Sequence, residues 1–183
     1  MIPVRYMTFT RGHHGSQSRI GGQPSLVPQS FPWPSKYDSY IGFTLQLACD
    51  EICLPIPGCA FLQLWQPIDL GDDPKPYAIM VPSHAAVNTR GDVLVNPIPE
   101  AEADIVLGPP MQDPAQVDLR APHTLESAHL FTSKLGGLDV WADAPPIGKF
   151  LGQLSEGGSG LNFGGTTCSM YLTPSGGIEL SLH

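Results

Sequence analysis

The chain has 183 residues, of which 20 are Gly and 20 are Pro, close to twice the roughly 12% combined share of an average protein, so turns and extended segments must outweigh long helices. Apolar residues make up 42% and charged ones 14%, which excludes a disordered chain and fits one compact domain. The net charge of −8 argues against nucleic acid as a partner, because binding phosphates needs a basic surface that releases counterions.

No apolar run approaches the roughly 18 to 20 residues of a membrane span, and Met1 to Tyr6 lacks the apolar stretch of a secretory signal, so no membrane association and a cytoplasmic location are expected. Arg5, Arg11, Arg19 and Lys36 precede the first acid, Asp38, so residues 1–37 carry +4 and the remainder −12. Chance is the plain reading of that asymmetry; the sharper one is an acidic body suited to a basic protein partner.

Residues 1–17 read as an N-terminal segment. It holds Arg11-Gly12-His13-His14-Gly15, where adjacent side chains of an extended chain point to opposite faces and would not chelate one metal together. Residues 18–82 form a first unit that starts at Ser18-Arg19-Ile20-Gly21-Gly22 and passes Trp33-Pro34, Phe43-x-x-Gln46-Leu47 and the apolar run Ala60 to Trp65. Strands are expected at 43–47, 60–66 and 77–81. The cysteines Cys49, Cys53, Cys59 and Cys168 lack the close pairing of a zinc site and read as buried free thiols, and Asp72-Asp73 reads as solvated loop charge.

Residues 83–123 form a connecting segment of loops and short strands at 93–95 and 105–107. Glu100, Glu102 and Asp104 alternate there, so an extended chain places all three on one face. That pattern suits a guard against edge pairing and is also the candidate surface for a basic partner. A second unit spans 124–183. A helix is expected over 124–134, capped by Thr124, followed by strands at 150–154, 167–172 and 178–182, the last two joined by the turn Thr173-Pro174-Ser175-Gly176-Gly177.

The second unit repeats the first. Ser133-Lys134-Leu135-Gly136-Gly137, Trp141, Pro145-Pro146 and Phe150-x-x-Gln153-Leu154 follow in the same order as their counterparts, and the two glutamines are 107 residues apart. Two copies at so long a spacing exclude a solenoid. The fold expected is mainly β with little helix: two related, sheet-rich halves packed about a pseudo-twofold axis in a single domain.

No catalytic signature survives inspection. Gly157-Gly158-Ser159-Gly160-Leu161 lacks the last Gly of a nucleophile elbow, Gly148-Lys149 is followed by Phe150 rather than Ser or Thr, and the H-E-x-x-H and EF-hand strings are absent. No metal and no cofactor is implied. Gln46 and Gln153, set in otherwise apolar strands, either satisfy backbone groups or, with Trp33 and Trp141, line a ligand groove between the halves.

The Gly-Gly-x-Pro and Trp-Pro strings, Phe43-x-x-Gln46-Leu47 and Leu54-Pro55-x-x-Gly58-x-x-Phe61-Leu62-Gln63, echoed by Leu135-Gly136-Gly137, Trp141, Phe150-Leu151-x-Gln153-Leu154 and Phe163-Gly164, resemble the YwqG-like domain family, a bacterial family with an internal duplication. The resemblance implies a mostly β fold of two related halves and supplies no catalytic residues. The leading functional expectation is a non-enzymatic binding module that masks a basic partner, such as an immunity protein against a toxin. The alternative is a small-ligand-binding protein or enzyme with its site in the groove between the halves.

Overall fold

A computed structural model describes residues 1–12, 14–27, 41–52, 54–67, 76–84, 101–116, 128–141, 148–157 and 159–183. Among these, eleven strands join in one sheet: β1 (Ile2–Arg11), β2 (Arg19–Ile20), β3 (Ile41–Ala48), β4 (Cys59–Pro67), β5 (Tyr77–Pro82), β6 (Ala103–Leu107), β7 (Met111–Asp113), β8 (Lys134–Gly136), β9 (Lys149–Ser155), β10 (Thr167–Leu172) and β11 (Ile178–Leu182). Their order is β11-β10-β9-β8-β1-β6-β2-β3-β4-β5, with β7 also on β1. Because β11 packs against β5, the sheet is nearly closed into a barrel, which leaves few open edges. No helix among the described residues is long and apolar enough to cross a membrane.

The mainly β expectation holds, and the strands at 43–47, 60–66, 77–81, 105–107, 150–154, 167–172 and 178–182 all fall within observed ones. The strand expected at 93–95 lies outside the described residues. Three expectations are refined. The N-terminal segment is β1, a central strand that pairs β6 and β7 on one side and β8 on the other; its alternation was hidden by mixed polarity at Arg5, Tyr6, Thr8 and Thr10. The described part of the expected helix is a single 3-10 turn, His129–Phe131, and Lys134 already belongs to β8. Finally, the strands of the two related units lie in one sheet, joined through β1 and β6.

The main core lies on the inner face. Leu45, Leu47, Leu62 and Leu64 from β3 and β4 meet Leu154, Cys168 and Met170 from β9 and β10, closed by Met7 and Ile105. A register shift between Phe43 and Leu45 turns Phe43 outward with Trp65, where the rings meet edge to face at 5.3 Å. Such a bulge re-aims side chains without ending the strand.

The repeated motifs make matching bonds. Ser18 Oγ accepts the Ala48 N–H at 2.9 Å and Ser133 Oγ accepts the Ser155 N–H at 2.8 Å. The carbonyls of the same serines accept the Ile105 and Met7 N–H groups at 2.8 and 2.9 Å. Each motif thus pins a short strand between its neighbours, and the paired glycines after it turn the chain away.

Gly136, at φ 66°, sits so close to β1 that a Cβ there would lie 2.7 Å from the Pro3 carbonyl oxygen, whereas Gly58, at φ 71°, has open space around it. Gly58→Ala should therefore cost only the left-handed strain of about 1–2 kcal/mol, and Gly136→Ala distinctly more. Urea denaturation of the two variants measures the difference, and equal losses would show that the close approach does not matter.

Candidate functional site

Of the residues singled out as a ligand groove, Trp33 lies outside the described residues, and Gln46 and Gln153 are not brought together. They occupy β3 and β9, with β8, β1, β6 and β2 between them. Gln46 Nε2 donates to Gln17 O at 2.6 Å and Ser25 Oγ at 2.8 Å, while its Oε1 accepts the Ser25 N–H at 2.9 Å. Gln153 Nε2 donates to the carbonyls of Leu130 and Thr132 at 3.0 and 2.9 Å. Both amides fasten loop backbone to the outer face of the sheet. Trp141 stacks on His183 with centroids 5.7 Å apart and meets Phe131 edge-on.

The acidic face also changes. Glu100 lies outside the described residues and Glu102 is exposed. Asp104 is buried and accepts the backbone N–H groups of His14 and Ser16 at 2.8 and 3.3 Å. Its strand, β6, is flanked by β1 and β2, so it guards no edge, and Asp104 organises the turn that follows β1. His13, Asp72, Asp73, Cys53 and His123 lie outside the described residues. Cys49, Cys59 and Cys168 are buried as reduced thiols. Among the described residues no three His, Cys, Asp or Glu side chains gather as a metal site requires.

A polar cluster that the sequence did not announce lies on the outer face where β7, β1 and β8 run side by side. Lys134 Nζ donates to Asp113 Oδ2 at 2.8 Å with both side chains fully buried, Tyr6 Oη donates to Asp113 Oδ1, and the Leu138 N–H reaches Asp113 Oδ2 at 2.9 Å. Burial raises the Asp113 carboxyl, but the bonds from Lys134, Tyr6 and Leu138 outweigh it and hold the group below its ordinary value. Burial also lowers Lys134, with the Asp113 bond opposing, and the same burial and carboxylate raise Tyr6. Nearby, Tyr171 donates to Asp139 at 2.8 Å, and burial followed by that bond pushes its phenol up to about 12. Both Asp113 oxygens are occupied and the amine is bound to one of them. This set holds strands together and presents no free nucleophile or base. The one sequence signal for it was the basic residue shared by the repeated motifs, Arg19 and Lys134.

The concave site is on the other face of the same strands. A cavity of about 330 Å³ opens there, walled by Leu135 of β8, Phe150 and Leu151 of β9, and Ile52 and Leu54 from the turn after β3. Leu135, Leu151, Ile52 and Leu54 are members of the main core, so the cavity is a continuation of the interior toward solvent. Its cations are Arg5 and Lys149. Arg5 shares the strand face of Met7 and Phe9, which pack in the core, so the two-residue period aims a guanidinium inward. It donates from Nε to Gly108 O at 2.9 Å and from Nη2 to Leu107 O at 3.5 Å. Among the described residues no carboxylate pairs with it.

Replacing Asp113 by Ala leaves the Lys134 ammonium buried and unpaired, which should cost about 3–5 kcal/mol in urea denaturation, and adding Lys134→Met should recover much of that loss. Since the Asp113 carboxyl is held below its unfolded value, its contribution is present above about pH 4 and is lost as pH falls through the folded value. On the alkaline side the raised Tyr171 phenol contributes stability that is complete below about pH 10 and is lost toward its folded value of about 12. Stability followed against pH should show both limbs, and Tyr171→Phe should flatten the upper one.

No protein-family model and no curated protein matches the chain, so the resemblance to YwqG-like domains rests on the quoted motifs alone.

Proposed function

We propose that this protein binds a small, largely apolar molecule in the cavity that continues its core toward solvent. The observation that supports this reading is a cavity of about 330 Å³ that extends the core and is walled by both repeated units, Ile52 and Leu54 from the first and Leu135 and Leu151 from the second. Pockets of a few hundred Å³ with apolar walls and a few convergent polar groups are the usual form of a small-molecule site. Masking of a basic partner has behind it the net charge of −8 and, of the face first considered for it, the exposed Glu102, while Asp104 is buried.

The test is thermal denaturation against straight-chain probes of increasing length, used below their micelle-forming concentrations. A probe at 100 times its dissociation constant should add about 2.7 kcal/mol of stability. In an Ile52→Trp variant, which fills the wall and whose fold is checked by circular dichroism, the gain should vanish. No stabilisation by any chain length would overturn the proposal.

A further inference from the structure

We infer that the cavity selects an amphiphile with a single carboxylate head, placing the head between Arg5 and Lys149 and the chain against Leu54, Leu135 and Leu151. This rests on the cavity being a ligand site. Its own support is the placement of charge. Arg5 is partly buried at the cavity wall, where a charge attracts a counterion more strongly than in open water, and the described residues offer it two backbone carbonyls and no acid. Those carbonyls, Gly108 O and Leu107 O, take the Nε and Nη2 side of the guanidinium. The Nη1–Nη2 end is left as a planar pair of donors, whose geometry matches the two oxygens of a carboxylate.

Lys149, an exposed residue at the start of β9, is the second cation on the cavity wall. It is a flexible point charge that adds attraction without fixing orientation. The rest of the wall is hydrocarbon, with Pro3, Pro55 and Pro110 at the rim. Proline has no N–H to offer a ligand, so the rim competes little with the two cations for the head. A short hydrophilic anion would leave the leucine walls uncovered, and a neutral chain would leave the guanidinium without a counterion. Only a molecule with both parts satisfies both sets of groups.

The experiment compares dissociation constants for decanoate, decanol, decylamine, decyl phosphate and acetate by calorimetry at low ionic strength. Decanoate should bind at least about tenfold more tightly than decanol, the range of one charge-assisted hydrogen-bonded contact. Arg5→Gln should erase that preference while leaving decanol unchanged, and Lys149→Gln should reduce both the preference and its sensitivity to salt. Equal affinity for decanoate and decanol, or a preference for decylamine, would overturn the inference and leave the cavity as a site. Tighter binding of decyl phosphate would overturn the carboxylate assignment, and acetate binding as well as decanoate would overturn the amphiphile. Failure of every probe would overturn the function proposed for the cavity as well. Should Arg5→Gln not fold, the head-group comparison on the unaltered protein and the Lys149→Gln variant still decide the matter.

Discussion

The ion pair between Lys134 and Asp113 reaches across a strand. Asp113 belongs to β7 on one side of β1, Lys134 to β8 on the other, and Tyr6 of β1 donates to the same carboxylate between them. Three strands that meet only through backbone bonds are thereby tied by side chains as well. A buried pair of this kind adds little net stability compared with hydrocarbon, but it is expensive to break, and that asymmetry favours a single register. Among the described strands, β1 and β6, neither of which belongs to a repeated unit, link β8 of the second unit to β2 of the first, so the register of β1 helps to fix how the barrel closes.

That register also shapes the cavity. β1 and β8 carry Tyr6 and Lys134 on their outer face and Arg5 and Leu135 on the inner one, in adjacent register: Tyr6 opposes Lys134 and Arg5 opposes Leu135. A slip of one residue would exchange the faces, burying the ammonium in the core and turning the guanidinium out. The polar cluster is thus a scaffold for the cavity behind it. Gly136 lets the chain pass close to Pro3 at the same point, so both ends of this short strand are held, one by charge and one by the lack of a side chain.

The repeated Ser-basic-aliphatic-Gly-Gly motif acts as a clasp in both places. It puts a serine hydroxyl under the end of the neighbouring long strand and a positive-φ turn immediately after. What the basic residue does differs. Lys134 is buried against Asp113, while Arg19 reaches the backbone of Gln23 and the hydroxyl of Ser25. One sequence pattern therefore serves two electrostatic settings, because the side-chain partner comes from a different strand each time.

The sequence by itself determined the β class, most of the long strands, the final hairpin and the repetition of a motif, since alternation, paired glycines and prolines act through local backbone geometry. It also marked Gln46 and Gln153 as polar groups set in apolar strands, and the serine of each motif as small. The role of β1, the buried state of Asp104 and Lys134, and the inward aim of Arg5 were decided only by tertiary structure. Each depends on which strands lie on either side, and that pairing joins residues about a hundred positions apart, such as Tyr6 with Asp113 and Arg5 with Gly108. Local pattern cannot carry that information, because a charged residue in an alternating segment reads as solvent-facing until the strand beside it supplies a partner or an interior.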